Sequence, residues 1–598
     1  MVEARSGATR RGEGERPWAR RYPPIASMAL ALVLVMAVLP SALNTPQSNP
    51  TTTPEYAPVP PSDNAAAPPG GNVSSFGLAG SSSLKQGSAQ QAANASDVPA
   101  QGAGNLAARG KTPSTKRCVG NPPRQTEDEV SPPCVADFRG DNGGATYGGV
   151  TRDEIRVLIY TLGSLYNTGD AGIQSSPKNA YVDVGAAADP NEHVVARLAR
   201  GYQQYFNDRY QTYGRFVHFF VYFNDASVGD AASRRADAAD NFATVHPFAV
   251  ITALISGGNE EPYLEEMSKR GVLSFGSFSG RSQSLFDSFP AKVWGYFPSV
   301  EQMAARFTAY LCKKVIPYAA SFSGNPLDNG SPRRLGLLYT SDTGRPPGLR
   351  EAVKAGIAKC GGTFLDEEAL PYAVDTTGNE NAQASATAVA TFQQKRISTV
   401  VWITGFDASF TRAAGSTAYR PELVVLGDGQ TDGSYANGIN QDQSVWQHAW
   451  VVSAETYFTT ISAEPCYQAY REVDASENST NIYWYACSLT YQSLRQMFTG
   501  IQVAGPRLTP ASVDQGFHAI PALASTNPRV PACFYEPGDY TCVKDSVAEW
   551  WNTAGNKSGG CWMMTEGGRR RIGEDWPDGD VLTMKGPNDF CNNYSAVF

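Results

Sequence analysis

Apolar residues fall into short runs separated by segments of helical spacing. Ile155–Tyr160 (IRVLIY) is an apolar run of strand length. Val194–Tyr213 then places Val194, Val195, Leu198, Tyr202, Tyr205 and Phe206 on one helical face. Phe216–Phe223 predicts a second strand, Ala231–Val245 a helix and Phe248–Ile255 a third strand. Pro262–Arg270 is helical, Val272–Phe275 predicts a fourth strand, and a helix follows at Glu301–Lys314. A fresh series begins with a strand at Leu335–Tyr339. It continues through helices at Gly348–Lys359 and Ala384–Gln394 to strands at Thr399–Thr404 and Leu423–Leu426. Apolar strands alternating with helices specify an α/β fold whose mainly parallel sheets are covered on both faces. Two such series predict two α/β lobes.

The first 117 residues are of another kind. Arg5, Arg10, Arg11, Arg16, Arg20 and Arg21 precede an apolar run from Ile25 to Leu43. Its length corresponds to ~28 Å of helix, close to the hydrocarbon thickness of a bilayer. Positive charge before such a run keeps that side in the cytoplasm and sends the remainder outside. The expectation is a signal-anchor over 25–43 with a cytoplasmic basic segment, 1–24. The alternative is a signal peptide, although a small-x-small cleavage site is poorly formed around Pro40, Ser41 and Ala42. Residues 44–117 are Pro, Ser, Thr, Gly, Ala, Asn and Gln with few aromatics. They bury too little apolar surface to offset ordering entropy and read as a disordered tether.

Composition narrows the function. At 598 residues and 18% charged, the chain exceeds one ordinary domain and is not a polytopic membrane protein. The net charge is −8. The basic start carries a local +3, which leaves −11 on the rest and argues against a nucleic-acid partner. Ten cysteines, none in a C-x-x-C pair, give no support for structural zinc. In an exported chain they read as five disulfides. The spacings suggest Cys118–Cys134, Cys312–Cys360, Cys466–Cys487, Cys533–Cys542 and Cys561–Cys591, with connectivity open. Asp141-Asn-Gly-Gly reads as a turn, because the alternating acids of a calcium loop are absent.

Catalytic patterns fail on inspection. Gly276–Gly280 has Phe278 where a nucleophile elbow needs serine. His193, His218, His246, His448 and His518 are scattered and read as structural. Gly427-Asp-Gly-Gln-Thr-Asp-Gly follows a strand but misses G-x-G-x-x-G by one residue. No enzymatic chemistry has a carrier, and no cofactor or metal is implied. What remains is Gly and Ser at the carboxyl ends of strands, where open α/β sheets bind ligands. Ser256-Gly257-Gly258-Asn259 opens a helix, and Ser277 and Ser279 end the neighbouring strand. Hydroxyls and free N–H groups there suit a small carboxylate. Ordinary loops with capping serines are the alternative.

Gly149-Val-Thr-Arg-Asp-Glu-Ile-Arg-Val-Leu-Ile-Tyr-Thr-Leu-Gly resembles the opening strand of type I periplasmic solute-binding proteins, the branched-chain amino-acid (Leu/Ile/Val-binding) receptor family of ABC importers. Tyr205-Phe-Asn-Asp-Arg-Tyr-Gln-Thr-Tyr-Gly-Arg and Asn224-Asp225 are similar to its first helix and second strand. Phe297-Pro-Ser-Val-Glu-Gln-Met-Ala, Leu335-Gly-Leu-Leu-Tyr, Val400-Val-Trp-Ile-Thr-Gly and Tyr419-Arg-Pro-Glu-Leu-Val-Val-Leu-Gly-Asp-Gly continue the likeness through about Gly500. The resemblance implies two lobes joined by a three-crossover hinge: 118–150 a disulfide-linked lead-in, 151–330 the first lobe, 331–455 the second, 456–505 a return to the first. It leaves 506–598 as a Cys-rich segment packing on the lobes. A carboxylate would be held by Ser256, Gly257, Gly276 and Ser277 with Ser164 beside them, and an ammonium by Asp407 or Asp428, with Asp342 behind. Tyr160, Tyr166, Tyr339 and Trp402 are candidate side-chain contacts. The implied function is an extracytoplasmic receptor for an amino acid or related carboxylate, serving an ABC permease and held to the membrane by its N-terminal segment. The alternative is a sensory or cell-surface interaction protein that reuses the fold. The missing lipid-accepting Cys, the long tether and the Cys-rich tail depart from the family pattern.

Overall fold

The computed structural model describes residues 118–591, except 119–123, 126–129, 137, 163–178, 189–191, 226–229, 253–259, 277–279, 342–347, 372–380, 406–407, 428–430, 433–439, 455–463, 476–489, 523–526 and 556–559. The apolar run Ile25–Leu43 and the tether lie outside the described residues. Among the described residues no helix is long and apolar enough to cross a membrane.

The first lobe runs β1 (Glu154–Leu162), β2 (Ala180–Asp183), α1 (Val194–Arg209), β3 (Phe216–Asn224), α2 (Ala231–Val245) and β4 (Ala249–Thr252). It continues with α3 (Glu261–Lys269), β5 (Leu273–Gly276), α4 (Gln283–Ser288) and β6 (Val293–Gly295). Its sheet has the order β2-β3-β1-β4-β5-β6. β2 is an antiparallel edge strand and the other pairs are parallel. Without β2, the order is second-first-third-fourth-fifth, that of a doubly wound sheet. β1 is apolar along its length because both faces are covered. Val157 and Ile159 pack into a core with α1, and Leu158 and Tyr160 into another with α2 and α3. Helix α1 stops four residues short of the predicted end. Tyr210 turns extended (φ −106°, ψ 148°), and Tyr213 and Gly214 take positive φ to start β3.

The second lobe repeats the plan: α5 (Val300–Tyr310), which runs on as a π-helical turn over Leu311–Val315, then β7 (Leu335–Thr340), α6 (Leu349–Ala358), β8 (Asp366–Leu370) and α7 (Ala382–Gln394). β9 (Thr399–Ile403), α8 (Ser409–Gly415), β10 (Glu422–Leu426), α9 (Gln443–Trp446) and β11 (Ala449–Ser453) complete it. The strands pair in parallel as β8-β7-β9-β10-β11, again second-first-third-fourth-fifth. Ser299 opens α5 through a capping box with Gln302, which fixes where the chain enters this lobe.

Helices α10 (Pro465–Val473), α11 (Gln492–Ala504) and α12 (Pro510–His518) return to the first-lobe core. The tail then does more than pack on the lobes. Gly295 N donates to Tyr540 O (2.9 Å), Cys542 N to Gly295 O (3.0 Å) and Val543 N to Tyr296 O (2.9 Å), forming a parallel bridge beside β6. Directly afterwards β12 (Asp545–Asn552) pairs antiparallel with β11 of the second sheet, followed by β13 (Cys561–Met564), β14 (Arg571–Ile572) and β15 (Phe590–Cys591). The chain therefore crosses between lobes three times: after β6, between β11 and α10, and at 543–545. Two parallel α/β lobes with three crossings are the two-lobed fold expected of this chain.

Disulfides join Cys118 to Cys134, Cys312 to Cys360, Cys533 to Cys542 and Cys561 to Cys591. Cys466 is also disulfide-bonded, while Cys487 lies outside the described residues. Gly143 and Gly144 take positive φ and Gly143 N donates to Asp141 Oδ1 (3.1 Å), so this segment is the turn expected.

Candidate functional site

In a doubly wound sheet the crevice outside the carboxyl ends of the strands is where ligands bind. By sequence position Ser164 follows β1, Ser256 and Gly257 follow β4, Ser277 follows β5, Asp407 follows β9 and Asp428 follows β10. All six lie outside the described residues, as do Tyr166 and Asp342. The described residues at the carboxyl ends of the strands are polar and buried in each lobe.

In the first lobe, Thr161 next to the end of β1, and Asn224 and Thr252 at the ends of β3 and β4, are buried. Asn224 Nδ2 donates to Thr161 O, tying the ends of β3 and β1 together. The Thr161 hydroxyl is buried without a hydrogen-bond partner. Between the ends of β4 and β5 sits an ion pair. Arg281 donates from Nε to Glu260 Oε1 (2.6 Å), from Nη2 to Thr252 Oγ1 (3.0 Å) and from Nη1 to Trp294 O (2.9 Å). Arg281 and Glu260 are 2% and 1% exposed, so the pair is desolvated and depends on its hydrogen bonds. It fastens the start of α3 to the segment after β5, which in sequence adjoin 253–259 and 277–279. Beside it, burial raises the Glu261 carboxyl above its ordinary range, against the hydrogen bonds it accepts from Ser282 N (2.5 Å) and Ser282 Oγ (3.1 Å).

A second network braces β1. Tyr160 OH donates to Asp237 Oδ2 (2.6 Å) and Tyr222 OH to Asp237 Oδ1 (3.1 Å). Arg234, 1% exposed, donates from Nη1 to both Tyr160 OH (3.1 Å) and Asn224 Oδ1 (3.2 Å). Burial raises the Asp237 carboxyl despite these donors. Tyr160 also stacks on Tyr263 with ring centroids 3.8 Å apart. It is a core residue, as is Trp402, which packs edge-on against Phe410 and Trp446. Tyr339 lies under the Arg350 guanidinium.

In the second lobe, Thr340 and Ser453 at the ends of β7 and β11, and Thr404 just after β9, are buried. Asp432, 1% exposed, accepts from Ser453 Oγ, and its carboxylate lies so close to Gly427 that a Cβ there would meet Oδ2 at 2.2 Å. Trp562 Nε1 of β13 holds Thr431 O (3.2 Å), so the tail positions this acid from behind. Asp432 belongs to the same Gly-rich run as Asp428, and the residue pattern alone does not distinguish the two. Glu260 and Arg281 carried no local signal, since their partnership spans 21 residues.

The described histidines are structural. His193 caps α1 by accepting from Val195 N, His246 ends α2 in the left-handed region, and His448 contacts Phe322 O (2.8 Å). Among the described residues no group of His, Cys, Asp and Glu is placed to hold a metal ion.

No known family's sequence profile matches the chain, and no curated protein does. Solved structures similar to it are ABC-transporter substrate-binding proteins. One, from Desulfitobacterium hafniense, is 14% identical with a TM-score of 0.42, covering 69% of this chain and 100% of its own. A leucine-, isoleucine-, valine-, threonine- and alanine-binding protein from Brucella ovis is 12% identical with a TM-score of 0.45, covering 73% and 100%. A solute-binding protein of Rhodopseudomonas palustris HaA2, in complex with p-hydroxybenzoic acid, is 11% identical with a TM-score of 0.47, covering 71% and 98%. The strand order, and not these likenesses, carries the fold.

Proposed function

We propose that this chain is an extracytoplasmic receptor, not an enzyme, for a small amino-acid-like carboxylate, and that it serves an ABC import system. The observation that carries this reading is the repeated second-first-third-fourth-fifth sheet, joined by three crossings, with buried polar groups under the carboxyl edge of each copy. A solute carboxylate is received by Ser256, Gly257 and Ser277, with Ser164 beside them. Arg281 and Glu260 hold the ends of that receiving segment in register. Asp407, Asp428 and the buried Asp432 supply negative charge for an ammonium in the other lobe. Solute that bridges the lobes stabilises a closed state by contacts the open state lacks. The segment 25–43 holds the receptor to the membrane.

Native mass spectrometry of the purified chain is expected to show a co-purified small carboxylate, and titration calorimetry to measure its affinity. Hydrogen bonds to a charged group contribute ~1.5–3 kcal/mol, so Ser277→Ala or Ser256→Ala should weaken binding by about 10- to 150-fold. Unchanged affinity in both variants, for a ligand shown to bind, places the site elsewhere. N-terminal sequencing that starts between Ala42 and Pro50 removes the anchor.

A further inference from the structure

A cavity of about 440 Å³, counting its open mouth, lies where the first crossing, helix α11, the disulfide-closed hairpin 533–542 and the lead-in meet. Two arginines, Arg124 and Arg495, line it, and no Asp or Glu does among the described lining residues. Arg124 Nη1 donates to Ser131 O (3.0 Å) and Nη2 to Pro521 O (3.3 Å), both neutral carbonyls, while Nε is buried without a hydrogen-bond partner. Burial lowers its pKa to about 10. Arg495 is buried with its guanidinium 5.5 Å from the centre of the Tyr296 ring. Gln496 spends its Nε2 on Gly295 O (3.1 Å) and on Tyr535 OH, which leaves its buried Oε1 without a partner.

A half-buried guanidinium whose partners among the described residues are neutral carbonyls can take a carboxylate, which matches its planar fork of donors. The free Gln496 oxygen asks for a donor. Tyr296 and Tyr535 supply apolar walls around both.

We propose that this cavity is a second ligand site, separate from the strand-end crevice, that takes a small hydroxy- or amino-carboxylate. The carboxylate faces Arg124, the hydroxyl or ammonium donates to Gln496 Oε1, and the carbon body lies against Tyr296 and Tyr535. Tyr296 belongs to the first crossing and Cys542 to the hairpin leading into the third, so an occupant sits where the lobes are joined.

The test uses the full chain with L-lactate as probe and propionate, which lacks the donor, as its control, both read by saturation-transfer NMR and calorimetry. Lactate is expected to bind in the ~0.1–10 mM range and at least about 10-fold more tightly than propionate. Arg124→Ala should weaken lactate by at least about 10-fold, the loss of one charged hydrogen-bonding partner. Thr499→Leu, which fills the cavity from α11 and leaves the lead-in's own hydrogen bonds intact, should abolish binding and serves if Arg124→Ala does not fold. Lactate that fails to saturate at ~50 mM, or binds both cavity variants as tightly as the natural chain, overturns the site. Equal affinity for propionate overturns the role of Gln496.

Discussion

Arg281 passes so close to Gly276 that a Cβ on the glycine would meet Arg281 Nη2 at 1.9 Å and Thr252 Oγ1 at 2.6 Å. The last residue of β5 is therefore glycine because a buried ion pair crosses it, and its φ is not among the positive values found elsewhere in the chain. Gly276→Ala is expected to displace the Arg281–Glu260 pair and to cost about 3 kcal/mol or more, read from urea unfolding. A loss under about 0.5 kcal/mol, the level of an ordinary surface change, contradicts the overlap.

His218 lies between two carboxylates, Nδ1 at 2.7 Å from Glu154 Oε1 and Nε2 at 2.7 Å from Asp183 Oδ1. Burial pushes both acids up, but hydrogen bonds outweigh it and hold both below their ordinary range: His218 and Arg156 act on Glu154, His218 and Gly185 N on Asp183. Their contribution to stability is complete above the unfolded carboxylate pKa, about 4, and is lost as pH falls through the lower folded values. Hydrogen exchange at β2 and the start of β3 should accelerate as pH is lowered below about 4, after correction for intrinsic rates. In His218→Ala that acid-dependent step should shrink. An unchanged step means that the clamp does not hold the edge strand.

Cys312 at the end of α5 is joined to Cys360 just past α6, 48 residues on. Non-reducing mass mapping should find this pair linked. Cys312→Ser with Cys360→Ser should lower stability by roughly 2–4 kcal/mol, since the bond restricts a long loop of the unfolded chain. Two or more alkylatable thiols in the untreated protein contradict the oxidised state.

At the third crossing Lys544 Nζ lies 2.5 Å from Asp539 Oδ2 and 2.7 Å from Thr541 O, inside the protein. Lys544→Met removes the charge facing Asp539, whose carboxylate keeps the hydrogen bonds from Thr541 N (2.9 Å) and Gln302 Nε2 (3.3 Å), and should destabilise by about 1–3 kcal/mol. Asp539→Asn in the same chain should recover part of that loss, giving a coupling of about 0.5–3 kcal/mol in a double-mutant cycle. Independent, additive effects would show that the two charges do not hold the crossing together.

The strands that were legible in the sequence are those buried on both faces, where every position must be apolar whatever lies beyond. β1, β4, β5, β7, β9 and β10 were found in this way, and all belong to the interior of a parallel sheet, whereas β3, which alternates in its first half and pairs antiparallel with β2, was found from its aromatic run. β8 (DEEAL) was not found, because an edge strand can keep three acids facing solvent or Lys and Arg partners, as Glu367 does with Arg350 and Lys354. β2 escaped for a similar reason, with alternate residues exposed. β6 is three residues long, too short for any periodicity. The tail's strands were unreadable because their order comes from a partner: Trp550 faces Trp450 across about a hundred residues of chain.

The same division runs through the candidate site. Residue type and position at strand ends suggested Ser256 and Ser277, and the family resemblance suggested the acids after β9 and β10; all of these lie outside the described residues. The Arg281–Glu260 pair, the Asp432–Ser453 contact and the arginine-lined cavity at the crossings were decided only in three dimensions. A buried charge is tolerable only beside the group that satisfies it. In this chain those groups come from other elements, some as far away as the lead-in and α11. By itself the sequence determined what had to be apolar, where helices begin and which side of each sheet carries polar loops. Which polar groups then meet inside, and how the tail closes both sheets, followed from tertiary packing, because hydrogen bonds between distant segments leave no period in the chain.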